Sequence, residues 1–416
     1  MSKQTNGTRT RAGRILRSRA VIGSAGLALG VVGAGGLAWA SIPNTSTGVL
    51  TACYSKTASM KTLRVIDAQS GRKCLGSENT VTWQTKGQTA AQVAAAVAAG
   101  GGGNPNKCTV ATLCWPVANV FASPSLGISQ PESVVSDGSH IWIGTSSNTM
   151  VELEAADGAF VRTLSSGSYG FAGPHALAFD GSHVWVANSS NSVTEFNASD
   201  GSWVRTLSGG SYGFGDPNGI AFDGNHIWVT NELGNSVTEL NASDGSWVQT
   251  VSALSPSPSD DVTGIAFDGS HMWIPTFNGY LIELNASDGS VVQTFQSGLS
   301  SPIGIAFDGS HIWIANRFGN YLTELNASDG SLVRNVSGAS YGFDSPDAVA
   351  FDGSHIWAEN HDGNSLTEVN ASDGSLVQTL SGSNYGFDSP DGIAFDGSHI
   401  WAVNFDGNSA TEVAAR

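Results

Sequence analysis

Nine histidines occur in this 416-residue chain. Seven sit in a repeated motif; His175 and His361 do not. His175 directly follows a proline. The same post-proline position recurs as Glu132, Asn218, Ile303, Asp347 and Asp391, and as Thr263 after Val262. If Glu132, His175, Asp347 and Asp391 lie on one arc, three carboxylates and an imidazole form a donor set for a hard divalent cation such as Ca²⁺ or Mg²⁺. Glu359 and His361, two residues apart, are placed to join them. A cation at that arc polarises a carbonyl and His175 moves a proton, which is the chemistry of a metal-assisted lyase or lactone hydrolase. Asp and Glu after Pro are also ordinary turn residues. The chain has no Asp-x-Asp-x-Asp-Gly calcium loop, no Gly-x-Ser-x-Gly elbow and no phosphate-cradling glycine loop. The competing reading is a binding face that docks a protein, peptide or glycan through Glu359, His361, Arg317, Phe318 and Phe405.

A repeat must position these residues. From Asp137 the motif Asp-Gly-x-His-x-Trp occurs seven times, at His140, His183, His226, His271, His311, His355 and His399. A period of 40–45 residues is the mark of a repeat architecture. Each unit reads as four short strands, in the third unit 219–222, 226–231, 236–241 and 247–252. Asp-Gly pairs mark the hairpin turns, where Gly supplies the positive φ. Seven four-stranded units of this length predict an all-β chain with a seven-bladed β-propeller. The last unit stops at its third strand, while residues 117–122 align with the fourth strand at 203–208. An N-terminal strand should therefore complete blade seven, which closes the ring and removes an open edge. Asp347, Asp391, Glu132 and His175 then fall on blades six, seven, one and two, neighbours around the ring.

Residues present in every unit are read as structural. Each repeat Trp is expected to pack between blades. The Asn-Ala-Ser-Asp-Gly turns at Asn197, Asn241, Asn285, Asn326 and Asn370 match a glycosylation sequon, but hairpin geometry accounts for them. Tyr-Gly-Phe triplets precede four of the blades (Tyr169/Phe171, Tyr212/Phe214, Tyr341/Phe343, Tyr385/Phe387). They are either loop packing or an aromatic rim for a glycan or peptide.

The unit Gly-Ile-Ala-Phe-Asp-Gly-x-His-Ile-Trp-Val-x-Asn, followed by Gly-Asn-x-Val-Thr-Glu-Leu and Asp-Gly, resembles the NHL and YVTN-type propeller repeats. At this level it is also similar to the streptogramin (virginiamycin B) lyases. The resemblance implies the propeller fold and, for function, a binding scaffold, a sensor or an enzyme. Those lyases use His and Glu with a divalent ion in the central funnel; none of their residues is carried over to a position here.

The first 114 residues have another character. They hold 13 Lys and Arg against two acids, while the rest of the chain has five Arg, no Lys and 33 acids. So acidic a body repels phosphate backbones, which excludes nucleic acid and anionic membrane as partners of the propeller. Arg9, Arg11, Arg14, Arg17 and Arg19 precede an apolar run from Ala20 to Ala40 that ends in Ala-Trp-Ala. That reads as a signal peptide over 1–40, or an uncleaved signal anchor, and places the mature chain in a secreted or cell-surface location. Cys53, Cys74, Cys108 and Cys114 fit two disulfides in an oxidising compartment. Of three connectivities, Cys53–Cys74 with Cys108–Cys114 keeps each pair within one local segment. Residues 41–86 carry the first pair and strand-like runs at 48–50, 63–66 and 80–83. Their pattern, Gly-Val-Leu-x-x-Cys-Tyr, then Leu-Arg-Val-Ile-Asp, Lys-Cys and Trp, resembles a small N-terminal module of secreted actinobacterial proteins. An Ala/Gly-rich linker over 87–107 leads to the propeller at 108–416.

Overall fold

The computed structural model describes residues 26–33, 36–43, 49–55, 63–66 and 78–84 as backbone strands. Beyond these it describes 118–122, 126–256, 260–296 and 298–415. The chain divides into two compact units, Met1–Pro116 and Val117–Arg416.

In the first unit, Gly26–Gly33 pairs antiparallel with Gly36–Pro43. A three-stranded sheet has Val49–Ser55 at its centre, with Leu63–Ile66 and Glu78–Gln84 on its flanks. These strands coincide with the three runs read from the sequence. The disulfides expected for Cys53, Cys74, Cys108 and Cys114, and the linker at 87–107, lie outside the described residues. Among the described residues no helix is long and apolar enough to cross a membrane.

The second unit is a seven-bladed propeller of four-stranded antiparallel blades. Blade six is typical, with strands Pro346–Phe351, His355–Asn360, Ser365–Asn370 and Leu376–Ser381 from the centre outward. Six of the seven innermost strands begin with Pro, which has no N–H to give a ladder and is tolerated at a strand start. Blade four lacks that Pro, and its innermost strand shrinks to Ala266–Phe267.

The repeated motif builds each blade around one aspartate. In blade five, Asp308 Oδ1 accepts the backbone N–H groups of Ser310 and His311 at 2.8 and 2.7 Å. Its Oδ2 accepts the Trp313 indole N–H at 2.8 Å and faces His311 Nδ1 at 3.2 Å. The indole is thereby pinned where the next blade covers it. Trp313 packs with Val349, Ile356, Ala358 and Val369 of blade six. Seven such hydrophobic clusters form, one at each blade boundary, each holding one fully buried Trp.

The ring closes as expected. Ala118–Phe121 pairs with Ser409–Ala414 as the fourth strand of blade seven, with Asn119 opposite Glu412. Asn119 Nδ2 donates to Glu412 Oε2 at 2.7 Å, just as Gln249 and Gln378 donate to Glu239 and Glu368 in blades three and six. A second device links blades on the loop face. Asn148, Asn191, Asn235, Asn320, Asn364 and Asn408 adopt left-handed φ values of 41–62° just before the third strand. Each accepts a backbone N–H from the loop that leads into the next blade, as Asn320 does from Ser345 at 2.8 Å. Blade four has Gly279 at this position.

At the centre, innermost strands of adjacent blades approach so closely at two glycines that no side chain fits there. A Cβ on Gly304 would lie 2.4 Å from the Asp347 carbonyl oxygen, and one on Gly264 would lie 2.6 Å from that of Ile303. Gly304 thus lets blade six's innermost strand, and with it Asp347, sit where it does.

Candidate metal centre at the mouth of the propeller

Asp347 and Asp391 are each the second residue of an innermost strand, in blades six and seven. Glu359 is the fifth residue of blade six's second strand, and His361 begins the loop after it. In the other blades the position of Glu359 is filled by Gly144, Ala187, Thr230, Pro275, Ala315 and Val403. What that position faces is clear from blade three, where the Thr230 hydroxyl bonds Gly219 N of its own innermost strand and Thr263 O at the entry to blade four. In blade six a carboxylate occupies this slot.

Glu359 is completely buried, and its one hydrogen-bonding neighbour is the Gly392 backbone amide, which falls short of good geometry. Burial first, then the charges of Asp391 and Asp347, push its carboxyl well above the usual range, and the nearby Gly392 amide and Arg317 only partly oppose this. Asp347 is also buried, with Oδ1 unpartnered and Oδ2 3.2 Å from Arg317 Nη1. Burial raises its pKa to about 6 against the pull of Arg317 and His361. Asp391 is raised to about 7, again by burial, with His175 and His361 opposing and Asp347 and Glu132 adding to it. Ligating atoms of Asp347, His361 and Asp391 all lie within 4.8 Å of one another. His361 Nδ1 faces Asp362 Oδ1 at 3.1 Å, which leaves Nε2 for a cation. Asp362 is held in turn by the Ser345 hydroxyl at 2.5 Å.

Of the four residues expected to hold a cation, Asp347 and Asp391 belong to this tight group. Glu132 and His175 do not share it, although both act on Asp391 through their charge. Burial raises the Glu132 carboxyl while His175 draws it down. His175 Nδ1 lies 3.2 Å from the Asn218 carbonyl oxygen on the exposed side. Of the two residues placed to join them, His361 belongs to the tight group, while Glu359 lies outside it and acts on Asp347 and Asp391 through its charge. Arg317 reaches Asp347, Phe318 is 66% exposed and packs edge-to-face on Phe277, and Phe405 is half-buried. Asp362 was not singled out in the sequence. Its signal is the parallel in blade seven, where Asp406 likewise accepts from the Ser389 hydroxyl.

Carboxylate oxygens from Asp347 and Asp391 with the His361 imidazole suit Mg²⁺ or Ca²⁺, and Glu359 adds its charge to this group. The orphaned Asp347 oxygen and the buried charge of Glu359 are what such an ion would satisfy. A second Asp–His–Glu group, Asp352, His355 and Glu368, has the same residue types but recurs in every blade. Its aspartate is saturated by the Trp357 indole, two backbone amides and His355, so it is a blade brace.

The Tyr-Gly-Phe triplets are loop packing and not an exposed aromatic rim. Each Tyr stacks on its Phe at centroid distances of 5.2–5.6 Å, and Phe171, Phe343 and Phe387 are buried. The Asn-Ala-Ser-Asp-Gly turns close on themselves, as where Asn326 Nδ2 donates to the Ser331 hydroxyl at 2.7 Å.

Fold and site together define a seven-bladed β-propeller with an acidic mouth, in agreement with the NHL/YVTN-type repeat. No family model and no curated protein sequence matches the chain. Among solved structures it is similar to a streptogramin B lyase, at 18% identity and a TM-score of 0.58, over 72% of this chain and 97% of that one. It is also similar to the Cps50 (Swd1) β-propeller domain of Myceliophteria thermophila, at 13% identity and a TM-score of 0.58, over 72% and 99% of the two chains. U3-55K is matched at 15% identity and a TM-score of 0.59, over 72% and 98%. At these identities the likeness concerns the fold.

Proposed function

We propose that the chain is an exported binding propeller that takes a protein, peptide or glycan on its loop face, through a divalent cation held between blades six and seven. Glu359 carries this reading. A carboxylate with no exposure and at most one poorly aligned backbone amide, beside two more carboxylates, weakens the fold unless protons or a cation neutralise it. An ion that binds only the folded state recovers that loss, so occupancy and stability are coupled at the mouth. The fold is shared with the propellers of Cps50 (Swd1) and U3-55K and equally with a streptogramin B lyase, so it is compatible with a binding role and with a catalytic one. Thermal unfolding in EDTA, then with Ca²⁺ or Mg²⁺ added at pH 7.5, tests the site. The expected result is a rise in midpoint that Asp391→Asn abolishes; no rise at millimolar cation refutes it. Export predicts a mature N-terminus at Ser41, checked by mass spectrometry of the secreted protein.

A second reading is a metal-assisted lyase or lactone hydrolase. It is favoured by one placement: His175, with an exposed ring, stands across the mouth within the field of Asp391 and Glu132. A bound divalent ion supplies Lewis acidity there, and His175 is the group set to move a proton. Turnover of a cyclic lactone that is lost in His175→Ala but not restored by added cation supports this reading; no turnover with cation bound removes it.

A further inference from the structure

The body of the propeller is poor in positive charge. Residues 115–416 contain five arginines and no lysine. Three of them brace blades: Arg162, Arg205 and Arg334 each place Nε 2.7–2.9 Å from a buried third-strand glutamate of their own blade. Arg317 does something else. It starts the loop of blade five and reaches across the blade boundary to Asp347 of blade six, with a single nitrogen at 3.2 Å. Its backbone is fixed by Arg317 N donating to Ser301 O at 3.1 Å, while its side chain remains 31% exposed. Phe318, beside it, projects into solvent. The guanidinium can therefore leave without disturbing the loop.

Around Arg317 stand Asp347, Glu359 and Asp362, and its charge acts on all three. Among the described residues it is the only arginine or lysine at the mouth. His361 and His175 are the other groups able to carry positive charge there, and both are titratable. A guanidinium stays charged at any physiological pH. It brings one charge to a cluster of three carboxylates and leaves Asp347 Oδ1 and both Glu359 oxygens without a well-aligned donor. A divalent ion entering the same cluster meets better-matched donors but also a like charge within a few ångströms.

Resting on the reading of the mouth as a cation site, we infer that Arg317 is a tethered counter-ion that competes with the incoming cation for Asp347 and so sets the affinity of the site. It swings toward solvent when the ion binds and returns when the ion leaves. A brace of the kind made by Arg334 would weaken binding when removed; a competitor strengthens it.

The test is titration of the full chain with Mn²⁺, followed by water-proton relaxation, for the wild type, Arg317→Gln, Arg317→Met and Arg317→Lys. Removing one positive charge from the site should tighten Mn²⁺ binding about tenfold in Arg317→Gln, with Arg317→Lys near the wild type. Wild-type binding with equal or weaker binding by both Arg317→Gln and Arg317→Met overturns the role of Arg317 and leaves the cation site standing. Binding by Arg317→Gln alone supports the inference, since the counter-ion then closes the site completely. No binding by any variant, each with a wild-type melting profile, overturns both.

Discussion

Asp308 and Asp347 belong to adjacent blades, and their side chains are equally hidden from solvent, at 6% and 7% exposure. Their chemistry is opposite. Burial raises the Asp308 carboxyl, but the Trp313 indole, two backbone amides and His311 outweigh it and hold the group below the usual range. Asp347 lies deeper among protein atoms, has one orphaned oxygen and a single guanidinium contact, and titrates at about 6. Seven aspartates follow the first pattern, one per blade. The contrast shows that depth and the supply of donors together decide whether a buried carboxylate serves the fold or waits for a ligand. Substitutions at the two kinds of position should therefore change stability with opposite signs.

The largest effect is expected where a blade aspartate holds its tryptophan. Trp313→Ala removes the fully buried ring that joins blades five and six and should cost ~3–5 kcal/mol, read from the denaturant midpoint. Asp308→Asn keeps the shape but loses the charge that organises two amides and the indole. It should cost about 1–3 kcal/mol in the same measurement, because buried donors then lose a strong acceptor. A stabilising Asp308→Asn would break the comparison.

Periodicity is what made the blades legible in the sequence. The spacing of His140 to His399 set the blade count, and the match of 117–122 to a fourth strand foretold closure through Ala118–Phe121. The site was legible only in part, since a repeat reports where a residue sits along a blade but not how far it reaches across a boundary. Asp347 and Asp391 were found because their strand position repeats. Glu132 and His175 occupy the same position, yet His175 turns to the Asn218 carbonyl, and neither joins the tight group. Glu359 stands out once second strands are aligned, where a carboxylate replaces small or apolar residues. Its shortage of partners depends on the approach of two innermost strands, which no local pattern records. Blade four shows the converse. Thr276 and Ile282 replace the Asn and Thr that bond each other in blades such as six, where Asn360 donates to Thr367. Asp260, buried in the preceding loop, takes over by accepting from the Ser255 and Thr276 hydroxyls and the Asn278 amide.

At the mouth the expected sign reverses. Glu359→Gln removes a buried charge and should raise the metal-free midpoint by about 1–2 kcal/mol while abolishing the cation-induced rise. Loss of both stability and cation response would instead make Glu359 part of the framework, and the comparison would fail.

The smallest effect is the pH dependence, and its sign follows from the same pair of patterns. Asp347 and Asp391 hold their protons to about 6 and about 7 when folded, against 3.8 as the reference value. Between those values the folded chain binds more protons than the unfolded one, so their contribution to stability falls as pH rises from about 4 to about 7. The blade aspartates act the other way. Their depressed pKa values add stability that is present above the reference value and lost as pH falls through the folded one. Third-strand glutamates such as Glu324, raised by burial, also lose stability with rising pH, so the readout is a difference between proteins and not one profile. In EDTA, the melting temperature of Asp391→Asn minus that of the wild type should grow steadily from pH 4 to pH 7 and level off above it. A difference that stays flat across that window would mean Asp391 ionises freely in the fold, and the mouth would then be ordinary acidic surface like the turns at Asp200 and Asp244.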